Sequence, residues 1–208
     1  MRRTLRAGPA ARAAMIVLAA AALAGCWPTH SLHPVYTPET VVFDPGLLGT
    51  WVGEPLEQAS FDEGTWVFER WEDDGYRVVH TDGDGRRAVL IAHVVQVGEV
   101  RYLDLFPDQP GEESSGLGNW HLLPVHGFAR IRRGLERIEL DVLDPDWLEA
   151  RLAAEPGALA HEVLDEVLDE LILVTAPPAE LQAFLRGVED DPDAFAPMAR
   201  LRREAAGG

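Results

Sequence analysis

Residues Thr65 to Thr81 read TWVFERW-EDDG-YRVVHT and give the clearest indication of the architecture. Apolar side chains recur at every second position in the first half of this stretch, so Trp66 and Phe68 share one face of an extended strand. Asp73-Asp74-Gly75 is typical of the tight turn that joins two antiparallel strands. The stretch therefore predicts a β-hairpin with one buried face.

Similar patterns predict further strands on both sides of this hairpin. They lie at Gly49–Val52, Arg87–Val97, Arg101–Phe106, Asn119–Arg133, Arg137–Leu143 and Leu171–Thr175. Pro124 interrupts the fourth of these and predicts a bulge or an edge. Short antiparallel strands in close succession favour a barrel or a sandwich. A barrel is preferred because closure removes the open sheet edges. We therefore expect a mainly β fold, with the barrel at residues 47–175.

The pattern changes after the strands. Asp144-Pro145 supplies an N-cap and a proline at the first helical position, which predicts a short helix to Ala154. Residues 158–170 have helical apolar spacing but are also compatible with a turn. Pro177-Pro178 begins a helix, and Asp191-Pro192 begins another, kinked at Pro197. Residues 176–208 are therefore expected to form a helical tail that packs on the barrel or extends from it.

The first 25 residues have the composition of a bacterial signal peptide. Four arginines precede an apolar run from Ala13 to Ala24. That run is shorter than the roughly 20 residues that a membrane-spanning helix needs, and it suits a signal-peptide core. Leu23-Ala24-Gly25-Cys26 then resembles the lipobox of bacterial lipoproteins. The resemblance implies cleavage after Gly25 and a lipid on Cys26.

The same resemblance implies a location. Trp27, rather than an aspartate, follows Cys26, which in the lipoprotein family favours the outer membrane. We therefore expect a lipid-anchored protein of the cell envelope that faces the periplasm. Residues 26–46 contain four prolines and no regular period, so we expect a flexible tether. At about 3 Å per extended residue, it would hold the barrel tens of ångströms from the bilayer.

Charge and cysteine content narrow the possible partners. The chain has a formal charge of −17, and the 14 arginines and 35 acids that remain after the signal peptide give −21. Such a surface is repelled by nucleic acids, so no nucleic-acid partner is expected. Cys26 is the single cysteine. With its sulfur bound to lipid, no thiol remains for a disulfide, a metal or catalysis.

Gly49-Thr50-Trp51 is similar to the G-x-W motif of the lipocalin family, which follows a short helical turn such as residues 44–48 would form. The family's T-D-Y triplet is missing. The resemblance implies a small hydrophobic ligand inside the barrel and makes Trp51 a plug at one end. It also implies an arginine beside this tryptophan, for which Arg130 and Arg132 are the candidates. The chain further resembles uncharacterised proteobacterial lipoproteins, and that likeness implies no activity.

Aromatic residues on the predicted strands are the candidates for lining a ligand pocket. Asp104 joins them because it shares a strand face with two of them. The predicted pocket comprises Trp51, Trp66, Phe68, Tyr102, Asp104, Phe106, Trp120 and Phe128. Such a set fits the composition of small-molecule sites, which combine apolar walls with few polar groups. Ordinary core packing of the aromatic rings and an outward-facing Asp104 are the alternatives.

No pattern of residues indicates catalysis. No serine lies in a G-x-S-x-G motif, and the seven histidines have no zinc-binding spacing. We therefore predict no catalytic residue, no metal ligand and no cofactor, and a protein that is not an enzyme. Two functions remain: binding a small hydrophobic ligand in the barrel, or docking on another envelope protein through the helical tail.

Overall fold

The computed structural model describes residues 29–56, 64–108, 123–165 and 170–205. Its strands are β1 (His30–Ser31), β2 (Gly49–Glu54), β3 (Thr65–Trp71), β4 (Gly75–Thr81), β5 (Arg87–Val97), β6 (Val100–Pro107), β7 (His126–Arg133), β8 (Arg137–Leu143), β9 (His161–Asp165), β10 (Glu170–Val174) and β11 (Phe195–Arg203). Its helices are a 3₁₀ turn (Pro45–Leu47), α1 (Pro145–Ala154) and α2 (Pro178–Val188). No helix in these ranges has the length and apolar character needed to span a bilayer.

Eight of the strands form a closed antiparallel barrel in the order β2-β3-β4-β5-β6-β7-β8-β11. β6 pairs with β7, and β11 pairs with β2, so the sheet closes on itself. The hairpin predicted at residues 65–81 forms with Thr65 opposite Thr81 and Trp71 opposite Gly75. The prediction of a mainly β, lipocalin-like barrel is therefore confirmed.

The last barrel strand corrects the predicted helical tail. The prediction of a second tail helix is wrong, because Phe195–Arg203 forms β11 between β8 and β2. Ala199 and Leu201 are buried while Arg200 and Arg202 are exposed, which is the alternation of a strand. Pro197 lies where the register with β8 shifts, a position that tolerates the missing N–H. The first tail helix is present as α2.

The described part of the predicted tether also differs from expectation. β1 pairs with both β7 and β10. Further along, the Val42 amide donates to the Val94 carbonyl at 2.9 Å, and Val35 is fully buried. Residues 29–46 are therefore part of the folded domain rather than a flexible linker. The prolines prevent a regular period, but they do not prevent apolar side chains between them from being buried.

The segment between β8 and β11 folds onto the outside of the barrel. It contains α1, the β9–β10 hairpin and α2, of which β10 pairs in parallel with β1. Residues 158–170, for which the sequence allowed either a helix or a turn, contain β9, which pairs with β10. The predicted strand at 119–133 begins at His126 in the structure, and residues 119–122 lie outside the described residues.

Two apolar cores result. The inner core fills the barrel and contains Leu47, Trp51, Trp66, Phe68, Tyr76, Val78, Ala92, Val94, Leu103, Ala129, Ile131, Ile138, Leu140, Val142, Met198, Ala199 and Leu201. The outer core lies between the outside of β5–β8 and the segments that cover it. Its members include Val35, Val95, Val97, Tyr102, Phe128, Leu143, Leu148, Leu152, Val174, Leu181, Leu185 and Val188.

Candidate ligand site

The predicted aromatic pocket is divided between the two cores. Trp51, Trp66 and Phe68 belong to the inner core, whereas Tyr102 and Phe128 belong to the outer core. The prediction of one pocket is therefore wrong for this set. Residues two apart on β6 do share a face, as expected. However, Leu103 faces the barrel interior, so its neighbours Tyr102 and Asp104 on β6 face outward.

The remaining predicted pocket residues follow the same division. Asp104 is 1% exposed and lies on the outward face of β6. Phe106 lies on that face too, with its ring 4.5 Å from the His126 ring. Trp120 lies outside the described residues.

Asp104 has a structural partner on each side. One carboxylate oxygen accepts a hydrogen bond from the Val35 amide at 2.8 Å, and the other lies 2.8 Å from Nδ1 of His126. His93 is opposite Asp104 on β5, and the Tyr36 ring lies 4.4 Å from the His93 ring. This arrangement attaches the N-terminal segment to the barrel wall. Sequence reasoning missed the partner His126 because it is 22 residues from Asp104 along the chain.

Trp51 lies in the inner core, close after the 3₁₀ turn that precedes β2. It is fully buried, and its indole N–H donates to the Leu47 carbonyl at 2.8 Å. The arginine beside it is Arg203 of β11, whose guanidinium carbon lies 4.2 Å from the ring centre. The candidates Arg130 and Arg132 are wrong, because both bind Asp141. The correct partner lies in the segment that was predicted to be helical.

The barrel wall has an opening between β6 and β7, which we call the seam. The β6–β7 ladder extends from Leu105–Gly127 to Tyr102–Arg130 and stops there. The residues that would continue it are Val100 and Arg101 on β6 and Ile131 and Arg132 on β7. They line a cleft instead of pairing with one another.

The floor of this cleft is apolar and reaches the inner core. Leu47, Val94 and Ile131 line it and belong to the inner core. The cleft has a volume of about 390 Å³. That volume falls within the range of about 300–1,000 Å³ typical of small-molecule sites. Six of the ten lining residues are charged, so the apolar part of the cleft is confined to its floor.

Four arginines and two acids surround the opening. Arg101 and Arg133 share one carboxylate, Asp44, at 3.3 and 2.8 Å. Burial alone would raise the pKa of Asp44, but the hydrogen bonds from Arg133 and the Gly46 amide and the charges of Arg133 and Arg101 lower it below its usual value. Asp44 is therefore a permanent anion at neutral pH.

A second arginine pair shares one carboxylate in the same way. Arg130 and Arg132 contact Asp141 at 3.3 and 2.6 Å. Arg132 also binds Glu139, at 2.9 Å, so this second pair is neutralised by two acids.

The pair of Arg101 and Arg133 keeps one positive charge in excess of Asp44, and Glu99 also lines the cleft. The rim therefore offers arginine donors, which a carboxylate or phosphate group prefers, but its four arginines are balanced by four acids.

Sequence reasoning missed the seam arginines. A signal was present, because three arginines, Arg130, Arg132 and Arg133, cluster in a stretch of four residues although the chain as a whole is strongly acidic. Among the described residues, no group of three or more histidines, cysteines or acids gathers to bind a metal. Comparisons with family models, with curated proteins and with solved structures give no match for this chain.

Proposed function

We propose that this protein is a lipid-anchored protein of the cell envelope whose lipocalin-like barrel binds a small hydrophobic ligand with an acidic head group. The observation that carries the proposal is the seam between β6 and β7. There the ladder stops, four arginines line the rim, and Leu47, Val94 and Ile131 connect the opening to the inner core.

The anchor is supported by the sequence alone. The basic start, the short apolar run and Cys26 at its end match the lipoprotein pattern, and they favour the outer membrane facing the periplasm. Several acyl chains are needed for firm anchoring, since one chain gives only marginal membrane binding. Lipids on Cys26 would hold the barrel where hydrophobic molecules of the envelope are available.

The seam is a better site than the centre of the barrel. Trp51, Phe68 and Tyr76 are at most 2% exposed and fill the barrel interior, and Leu47 and Val94 beneath the seam are equally buried, at 1%. The seam differs by the cleft of about 390 Å³ that opens above Leu47, Val94 and Ile131, and the apolar part of a ligand would occupy that cleft. Its head group stays at the arginine rim, where charge-assisted hydrogen bonds are available.

The alternative function was docking through a helical tail, but the part of the chain that the structure describes does not contain the free amphipathic tail that suggested it. The apolar side of α2, including Leu181 and Leu185, is buried against the outer core. The rest of the predicted tail is β11, which is a barrel strand. No free amphipathic helix remains among the described residues of this segment.

The test uses two probes of equal chain length, dodecanoate and dodecanol, titrated calorimetrically into the mature chain. We expect dodecanoate to bind more tightly than dodecanol. Arg101→Gln should weaken dodecanoate binding at least tenfold, since a hydrogen bond to a charged group contributes about 1.5–3 kcal/mol and about 1.4 kcal/mol is a factor of ten. Asp44 retains its ion pair with Arg133 in this variant, so the fold should be preserved.

Arg86→Gln is the matched control. Arg86 lies between β4 and β5 with its side chain 77% exposed, and it pairs with the exposed Asp84 at 2.7 Å. This variant should bind dodecanoate as the wild type does. If neither probe binds, or if both arginine variants bind dodecanoate equally well, the proposed function is wrong.

A further inference from the structure

The start of the described chain determines where a lipid on Cys26 would lie. Thr29 is 6% exposed and directly precedes β1, which is paired on both sides. Three peptide steps connect Cys26 to Thr29, and each spans at most about 3.6 Å. The lipid-bearing residue is therefore within about 11 Å of Thr29, rather than at the end of a long tether.

The register of three strands shows which surface is nearest to this point. His30 of β1 is opposite Leu173 of β10, and Leu173 is opposite Glu162 of β9. The next pairs on β9 and β10 bring in Val163 and Leu164. Because neighbouring strands lie about 4.8 Å apart, β9 is about 10 Å from β1.

Val163 and Leu164 are unusually exposed for large apolar side chains, at 51% and 41%. β9 is the terminal strand of the sheet, so its outer edge has no partner strand among the described residues. Neighbouring side chains of a strand point to opposite faces. A contact that covers both must therefore approach the strand along its open edge.

We propose that the open edge of β9 at Glu162–Leu164 rests on the bilayer surface in which the Cys26 lipids are inserted. The inference depends on the lipidation that is part of the proposed function. The short reach from Thr29 brings the edge and the bilayer together, and Val163 and Leu164 enter the interface. Glu162 lies on this edge and the chain has a formal charge of −17, which favours a zwitterionic surface over an anionic one.

Cysteine labelling provides a selective test, because Cys26 is the only cysteine of the chain and its sulfur would carry lipid. Leu164→Cys therefore introduces one free thiol, at an exposed position, for an environment-sensitive nitrobenzoxadiazole dye. The lipidated protein is reconstituted in phosphatidylcholine vesicles that contain a head-group spin-labelled lipid. We expect the dye at 164 to be quenched at least twofold more than a dye at the control position.

Leu135→Cys is the control, in the turn between β7 and β8. Leu135 is 85% exposed. Its turn follows Arg133, which lies roughly 20 Å along β7 from Gly127, the partner of His30. Equal quenching at the two positions would overturn the inference.

Intact-mass analysis of the same samples separates this inference from the proposed anchor. A lipidated chain with equal quenching at 164 and 135 refutes only the bilayer contact. A chain with an unmodified Cys26 refutes the anchor, and the contact with it. Lipid on Cys26 together with selective quenching at 164 supports both.

Discussion

The inner core contains apolar side chains and aromatic rings, whereas the outer core also contains buried polar groups. The described side chains of polar or charged type that are buried are Thr29, Ser31, Asp104, Asp141 and Gln182, and all lie outside the barrel. The inner core is formed by strands that pair with their neighbours along the ladder. The outer core is formed by segments that are far apart in sequence and pack against the outside of the barrel wall.

This difference explains the role of the buried polar groups. Gln182 on α2 donates to the Val35 carbonyl at 2.7 Å, and Asp104 accepts from the Val35 amide at 2.8 Å. Both backbone groups of one buried residue are thereby satisfied outside any regular sheet. Such bonds fix the position of a crossing segment, because an unsatisfied buried backbone group is costly. We therefore expect the two cores to respond differently to substitution and to pH.

The largest effect is expected in the inner core. Trp51→Ala removes a fully buried ring, its hydrogen bond to Leu47 and its contact with Arg203. The free energy of unfolding should fall by about 3–5 kcal/mol, as for other buried aromatic residues replaced by alanine. Trp71→Ala, at a position 38% exposed, is the control and should cost less than about 1 kcal/mol. Urea unfolding measures the free energy of unfolding of both variants. Similar losses for the two would contradict the assignment of Trp51 to a tightly packed inner core.

An intermediate effect is expected in the outer core. Asp104→Ala leaves the buried Val35 amide without an acceptor and His126 without its carboxylate. The loss should be about 2 kcal/mol, within the range for an unsatisfied buried donor. Hydrogen exchange should also accelerate at Val35 but not in β3. Asp84→Ala, in an exposed turn, should change stability by less than about 0.5 kcal/mol. Unchanged exchange at Val35 in the Asp104 variant would show that this carboxylate does not hold the segment.

The smallest effect is expected from mild acid. Burial lowers the pKa of His93 below its usual value, outweighing the opposing charge of Asp104, and burial also lowers the pKa of His30. The unfolded chain therefore binds protons that the folded chain excludes, so stability is complete above about pH 6.5 and falls as the pH decreases below it. His93→Gln and His30→Gln should each reduce the loss between pH 7.5 and 5.5. A loss that neither variant reduces would assign this pH dependence to other groups.

The inner core was largely predictable from sequence. Alternation in 65–71 identifies β3, and the apolar residues on both faces of 87–97 identify β5, which contributes to both cores. The glycine turns fix the pairing of these strands. Residues such as Trp66 and Phe68 therefore appear where they were expected. The G-x-W motif likewise marked Trp51, which lies in the inner core.

The outer core was not predictable in the same way. Alternation shows that Tyr102 and Asp104 share a face, but not whether that face is inside the barrel or covered from outside. β11 was missed because Asp191-Pro192 resembles a helix start, while its strand conformation depends on β8 and β2 on either side. The seam depends on where one ladder stops, and that is a property of the closed barrel rather than of either strand.

Methyl-resolved NMR of the protein, titrated with dodecanoate, is the decisive experiment for binding at the seam. The seam account predicts selective shifts at Leu47, Val94 and Ile131, with the α2 methyls of Leu181 and Leu185 unchanged. Shifts confined to the outer-core methyls, or no shifts at saturating dodecanoate, would contradict it.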